Sequence, residues 1–148
     1  MNLTTIRQAL ATQIDAQLSG TSPRANVYAY PPASPQGVSV LIVPAAQDGQ
    51  YVTTHGTMGA SALCDIGFRL EVRVDGPEVD AARTMDAYLS TGTIESIVDA
   101  IESDTTLSAA VQNVYVSGAS VPARFTGSDG GREWLSASFD VVVRARRS

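Results

Sequence analysis

The sequence predicts an α+β fold: an antiparallel or mixed β-sheet with helices packed on one face. Three observations lead there. Leu63 to Val74 and Glu133 to Ala145 alternate apolar and polar side chains, the period of a strand with one face on a core. Thr5 to Leu18 and the stretch after Thr93 instead repeat apolar residues at three- and four-residue steps, the period of an amphipathic helix. The elements run helix, strands, helices, strands, which groups the helices and leaves the strands in hairpin-compatible runs. A chain of 148 residues with 44% hydrophobic side chains suits one domain over residues 1–148. At this length a fold buries about two-thirds of its unfolded surface.

The first helix is expected over Thr5 to Leu18. Leu3, Ile6, Leu10, Ile14 and Leu18 form its apolar stripe, and Thr5 and Gln8 stand at capping-box spacing. Ser19-Gly20 ends it, since glycine tolerates the left-handed cap. Val27 to Tyr30 reads as a short strand stopped by Pro31-Pro32, which cannot continue a ladder. Val38 to Pro44 is apolar enough for a buried strand. Ala45 to Ala62 carries Gly49, Gly56 and Gly59 and sustains no period, although Tyr51 to Thr54 suits a small strand within it. Irregular stretches this long are uncommon in a domain and are usually functional or mobile.

Leu63 to Val74 is the clearest strand. Cys64, Ile66, Phe68, Leu70, Val72 and Val74 make one face; Asp65, Arg69, Glu71 and Arg73, with Gly67 between, make the other. A slip of one residue would bury four charges, so the register is well specified. Asp75-Gly76-Pro77 then opens a second helix reaching about Leu89, with proline suited to the first helical position. Its apolar side is expected to be Val79, Ala82, Met85 and Leu89. Ile94, Ile97, Val98 and Ile101 give a third helix its stripe, and Leu107, Ala110 and Val111 anchor a short turn. Val114 to Val116 and Val121 to Phe125 suit strands, and Gly127 to Gly131 has the composition of a hairpin turn. The last strand sets Leu135, Ala137, Phe139, Val141 and Val143 against Ser136, Ser138, Asp140 and Arg144 and closes on Arg146 and Arg147. The sequence has no internal repeat and no low-complexity segment.

Several function classes are disfavoured. A net charge of −5 and a pI near 4.6 argue against sequence-specific nucleic-acid binding, which leaves a basic footprint. All ten basic residues are Arg. GC-rich coding accounts for that bias most simply; the physical alternative is that planar, bidentate guanidinium groups suit subunit interfaces. No apolar run approaches the roughly 18 residues of a membrane span, and the N-terminus lacks the basic and apolar regions of a secretory signal.

Nor does a catalytic constellation emerge. Cys64 is the only cysteine and falls on an apolar strand face, so a buried, inert thiol is expected. His55 is the only histidine, whereas a zinc site needs three or four clustered ligands. Glu95, Asp99 and Glu102 fall on one helix face, and opposite an apolar stripe such carboxylates are ordinarily the solvated side. Gly127, Gly130 and Gly131 lack the Lys-Ser/Thr of a phosphate loop, and Ser117-Gly118-Ala119-Ser120 is not a nucleophile elbow. The expectation is a non-enzyme without metal or cofactor. Eight of the fifteen acids fall between Asp75 and Asp104 with a single Arg, an acidic outer surface.

Three segments, LTTIRQALATQI, VYAYPP and Asp86 to Gly118, resemble the tail-terminator (tail-completion) proteins of long-tailed double-stranded DNA phages. The last carries Asp-Ala-Tyr-Leu, a glycine break, a helix with Ile at helical spacing, an Asp-x-Thr-Leu corner and Val-x-Val-x-Gly. The resemblance implies a subunit that closes into a homomeric, hexameric ring on the last ring of the tail tube. There it would end tube polymerisation and offer a surface to the head–tail connector or neck, with DNA passing through the bore. It implies no catalytic residues and no cofactor, and it implies a place in the virion tail after assembly in the host cytoplasm. A neck or connector protein of the same virion is the nearest alternative, and a small-molecule-binding module the distant one. The residues expected at the subunit or tube interface are Tyr51, Val52 and His55 of the long loop and Arg69, Glu71 and Arg73 of the polar row, for which an ordinary solvent face is the alternative reading.

Overall fold

A computed structural model describes residues 1–21, 24–33, 35, 37–46, 49–55, 62–75, 78–126 and 133–147. The elements are α1 (Leu3–Leu18), β1 (Asn26–Tyr28), β2 (Ser39–Pro44), β3 (Val52–His55), β4 (Leu63–Asp75), α2 (Glu78–Leu89), α3 (Ile97–Glu102), β5 (Asn113–Ala119), β6 (Ala123–Thr126) and β7 (Glu133–Arg146). Among the described residues, seven strands form one mixed sheet with three helices, an α+β fold. Its spine is the antiparallel pair β4–β7, in register from Leu63 opposite Arg146 to Asp75 opposite Trp134. Shorter strands extend both sides: β2 and β3 pair with β4, β5 and β6 with β7, and β1 adds outside β2.

The alternation of the two long strands decides the layering. Phe68, Leu70 and Val72 meet Val141, Phe139 and Ala137 across the pair, and Val40, Ile42 and Val114 extend that face. All are buried in one cluster with Ile6, Leu10, Ile14 and Leu18 of α1, Met85 and Tyr88 of α2, and Ile97 and Ile101 of α3. The expected stripes of the first helix and of the two long strands therefore form the core.

Local chemistry moves several boundaries. Asn2, not Thr5, caps α1: its side-chain oxygen accepts from the Thr5 amide at 3.1 Å. Asparagine is among the strongest N-caps, and starting there brings Leu3 into the helix. β1 and β2 are parallel rather than a hairpin. Pro31 and Pro32 lie in their connection and cannot donate to a ladder, so the chain leaves the sheet and re-enters in the same direction. In α2 the buried face is Ala81, Met85 and Tyr88; Ala82 is exposed and Leu89 only half-buried. Tyr88 supplies the larger ring, so the helix turns to bury it and its hydroxyl bonds to Thr21. Burial holds that hydroxyl above its ordinary pKa. The side chain of Val79, the helix-opening Gly76-Pro77 and the Gly127–Gly131 turn lie outside the described residues.

The third helix is shorter than its apolar spacing suggests. Ser96 is buried and caps it, accepting from the Asp99 amide at 3.1 Å. The Ser96 amide donates to the Thr93 carbonyl at 3.1 Å, so Ile94 belongs to a turn before the helix. It is 49% exposed rather than in the core.

The corner after α3 stores backbone strain. Leu107, Ser108 and Ala109 have φ of 48, 56 and 67°, a left-handed run without glycine. Two features hold it. Leu107 and Val111 are buried, and the Asp104 carboxylate accepts from the Thr106 amide at 2.9 Å, the Thr106 hydroxyl at 2.7 Å and the Ser108 amide at 2.8 Å. Ser108→Gly or Ala109→Gly, both exposed positions, is therefore expected to stabilise the fold by about 1 kcal/mol, measured by denaturant unfolding. Those hydrogen bonds, the Thr106 hydroxyl first, hold the Asp104 carboxyl below its ordinary range. A depressed carboxylate contributes stability above its unfolded pKa of about 3.9 and loses it as pH falls through the folded value. Asp104→Asn should remove this contribution. Its unfolding midpoint should fall below that of the parent at neutral pH, and the difference should shrink toward pH 2.

Candidate interaction surface

The face of the sheet opposite the helices holds the polar row. Register places Asp65 across from Arg144 and Arg69 across from Asp140. Arg144 grips Asp65 with two parallel hydrogen bonds, Nε to Oδ1 at 2.8 Å and Nη2 to Oδ2 at 3.0 Å. Asp65 is consequently 9% exposed and is not part of a solvent row. The same contact holds the Arg144 guanidinium above its ordinary pKa. Arg69 Nε approaches Asp140 Oδ1 at a looser 3.6 Å, and Arg73 Nη2 donates to Glu71 Oε2 at 3.2 Å. A guanidinium has five donors, and the Nε of Arg73 is buried without a partner. This row is laced by contacts within the subunit.

Beyond the row lies a cleft of about 410 Å³. Arg69, Glu71 and Arg73 line it together with Val121, Phe125 and Trp134. Phe125 stacks on Trp134 with ring centres 6.4 Å apart and 20° between planes. The Arg73 guanidinium lies 5.0 Å from the Trp134 ring centre, a cation–π contact. Val121 is 86% exposed, Phe125 50% and Tyr115 37%. The register explains the aromatic pair, because Phe125 stands opposite Trp134 where β6 joins β7. The sequence suits Val121 to Phe125 to a strand but does not single out Phe125 or Trp134. Two aromatics flanking a glycine-rich turn were the signal that could have found them.

The expected interface residues divide. Arg69, Glu71 and Arg73 come together on the open face. Tyr51 and Val52 pack on the helix-covered side: the Tyr51 ring meets Phe68 edge-on at 5.8 Å, and Val52 stands opposite Ile66. Burial holds the Tyr51 hydroxyl above its ordinary pKa. His55 pairs opposite Leu63 at the end of β3, as a backbone position only. Residues 47–48 and 56–61 of the long loop lie outside the described residues.

The three carboxylates expected on one helix face are dispersed. Glu95 precedes α3. Asp99 Oδ2 accepts from the Gly92 amide at 2.6 Å, and Glu102 Oε1 accepts from the Val116 amide at 3.4 Å, where it caps a sheet edge. Among the described residues no group of three or more His, Cys, Asp or Glu could hold a metal ion. Cys64 is buried, its sulfur 3.7 Å from the Thr54 hydroxyl. Among the described residues no helix is long and apolar enough to cross a membrane. The chain matches no protein-family model and no curated protein sequence.

Proposed function

We propose that this chain is a structural subunit of a long-tailed phage virion, a tail terminator that acts by assembly and not by turnover. Six copies would close into a ring at the head-proximal end of the tail tube, stop its growth and present a surface to the connector or neck. The ring is assembled in the host cytoplasm and retained in the virion, with its own copies, the tube protein and the connector as partners. The three resembling segments support this reading.

The observation that carries it is the one-sided sheet. Helices cover one face, and the other keeps a half-exposed Phe125–Trp134 stack beside Arg69, Glu71 and Arg73. Exposed aromatics and Arg are the residues that dominate protein interfaces. Exposed ion pairs add only about 0–1 kcal/mol each, so specificity there rests on the apolar contact with charges setting register. Counting subunits in assembled particles tests the assignment. Six copies at the tail end support it; twelve copies seated against the portal would favour the connector reading instead.

A further inference from the structure

We propose that the Phe125–Trp134 cleft receives the Ile94-Glu95 corner of a second copy of this chain, in a head-to-tail contact. The inference rests on the ring reading and names the opposing surface that the reading lacks. The cleft offers two unlike features side by side: exposed apolar side chains of Val121 and Phe125, and the positive charge of Arg73, whose side chain is 28% exposed. Its occupant should bring an aliphatic side chain next to a carboxylate.

The chain itself presents that pair. Ile94 has the type and spacing of a core residue yet is 49% exposed, because Ser96 starts α3 behind it. Glu95 follows it in the turn, within the stretch from Asp75 to Asp104 that holds eight acids and one Arg. The corner belongs to the helix layer, and the cleft lies on the opposite sheet face. Two unlike patches on one molecule make a heterologous contact, the kind that closes rings.

Variants with one added cysteine test the contact, since the native Cys64 is 1% exposed. Ile94→Cys and Val121→Cys are purified separately, concentrated and oxidised, alone and mixed. A disulfide-linked dimer in the mixture, with neither variant linking alone, is the expected result. Arg73→Glu should weaken self-association at least tenfold by sedimentation while its circular-dichroism spectrum stays unchanged, and adding Glu95→Arg to it should restore association. Oligomers that form without the mixed cross-link and without charge-swap rescue would overturn the contact and leave the ring reading standing. A chain that stays monomeric when concentrated and also on tail tubes would overturn both.

Discussion

Phe68→Ala and Phe139→Ala are each expected to lower the unfolding free energy by about 3–5 kcal/mol. Both rings are buried, at 0% and 1% exposure, on the central strand pair. Phe68 stands opposite Val141 and Phe139 opposite Leu70, so each truncation opens a hole where the spine meets the helix layer. Neighbours fixed in a two-strand register cannot collapse far into such a hole, which places the cost in the upper part of the range for core truncations. The melting temperature should fall by roughly 6–20 °C for a domain of this size. Phe125→Ala is the internal contrast. Its ring is half-exposed on the open face, so the same change should cost about 1 kcal/mol. Equal melting curves for the parent and the two core variants would contradict the layering.

The second large effect concerns assembly. Charge reversal at Arg69 and Arg73 together should leave the subunit folded and abolish the proposed ring. Their side chains are 50% and 28% exposed, and the ion pairs lost, with Asp140 and Glu71, contribute little to folding. At an interface the same reversal sets acid against acid and removes the cation from the Trp134 face. Tails assembled with this variant should have uncontrolled lengths. Normal-length tails bearing an intact terminal ring would sink the assignment of this row to the interface.

Most of the fold was legible because its main signals are periodic. The stripe of α1 and the alternation of β4 and β7 each fix a buried face before any contact is known, and all three lie in the core. What was not legible depends on partners distant in sequence. Asp65 looks like a surface acid until β7 brings Arg144 opposite it. Ile94 completes a helical stripe on paper, but the cap at Ser96 starts the helix later. Ala82 and Ala81 are equivalent in composition, and only the ring of Tyr88 decides which one turns inward. Arg69, Glu71 and Arg73 were visible as a row in one strand. The aromatic pair that lines the cleft with the row needed the β6–β7 register, and the separation of Tyr51 and Val52 from that row needed the β3–β4 register.

Ring formation at the tail end is tested most directly by imaging tails assembled with and without this protein. With it, tails should share one length and carry a closed six-fold ring at the head-proximal end. Without it, tubes should overgrow to a broad range of lengths and fail to join heads. Tails of uniform length that join heads in its absence would contradict the assignment.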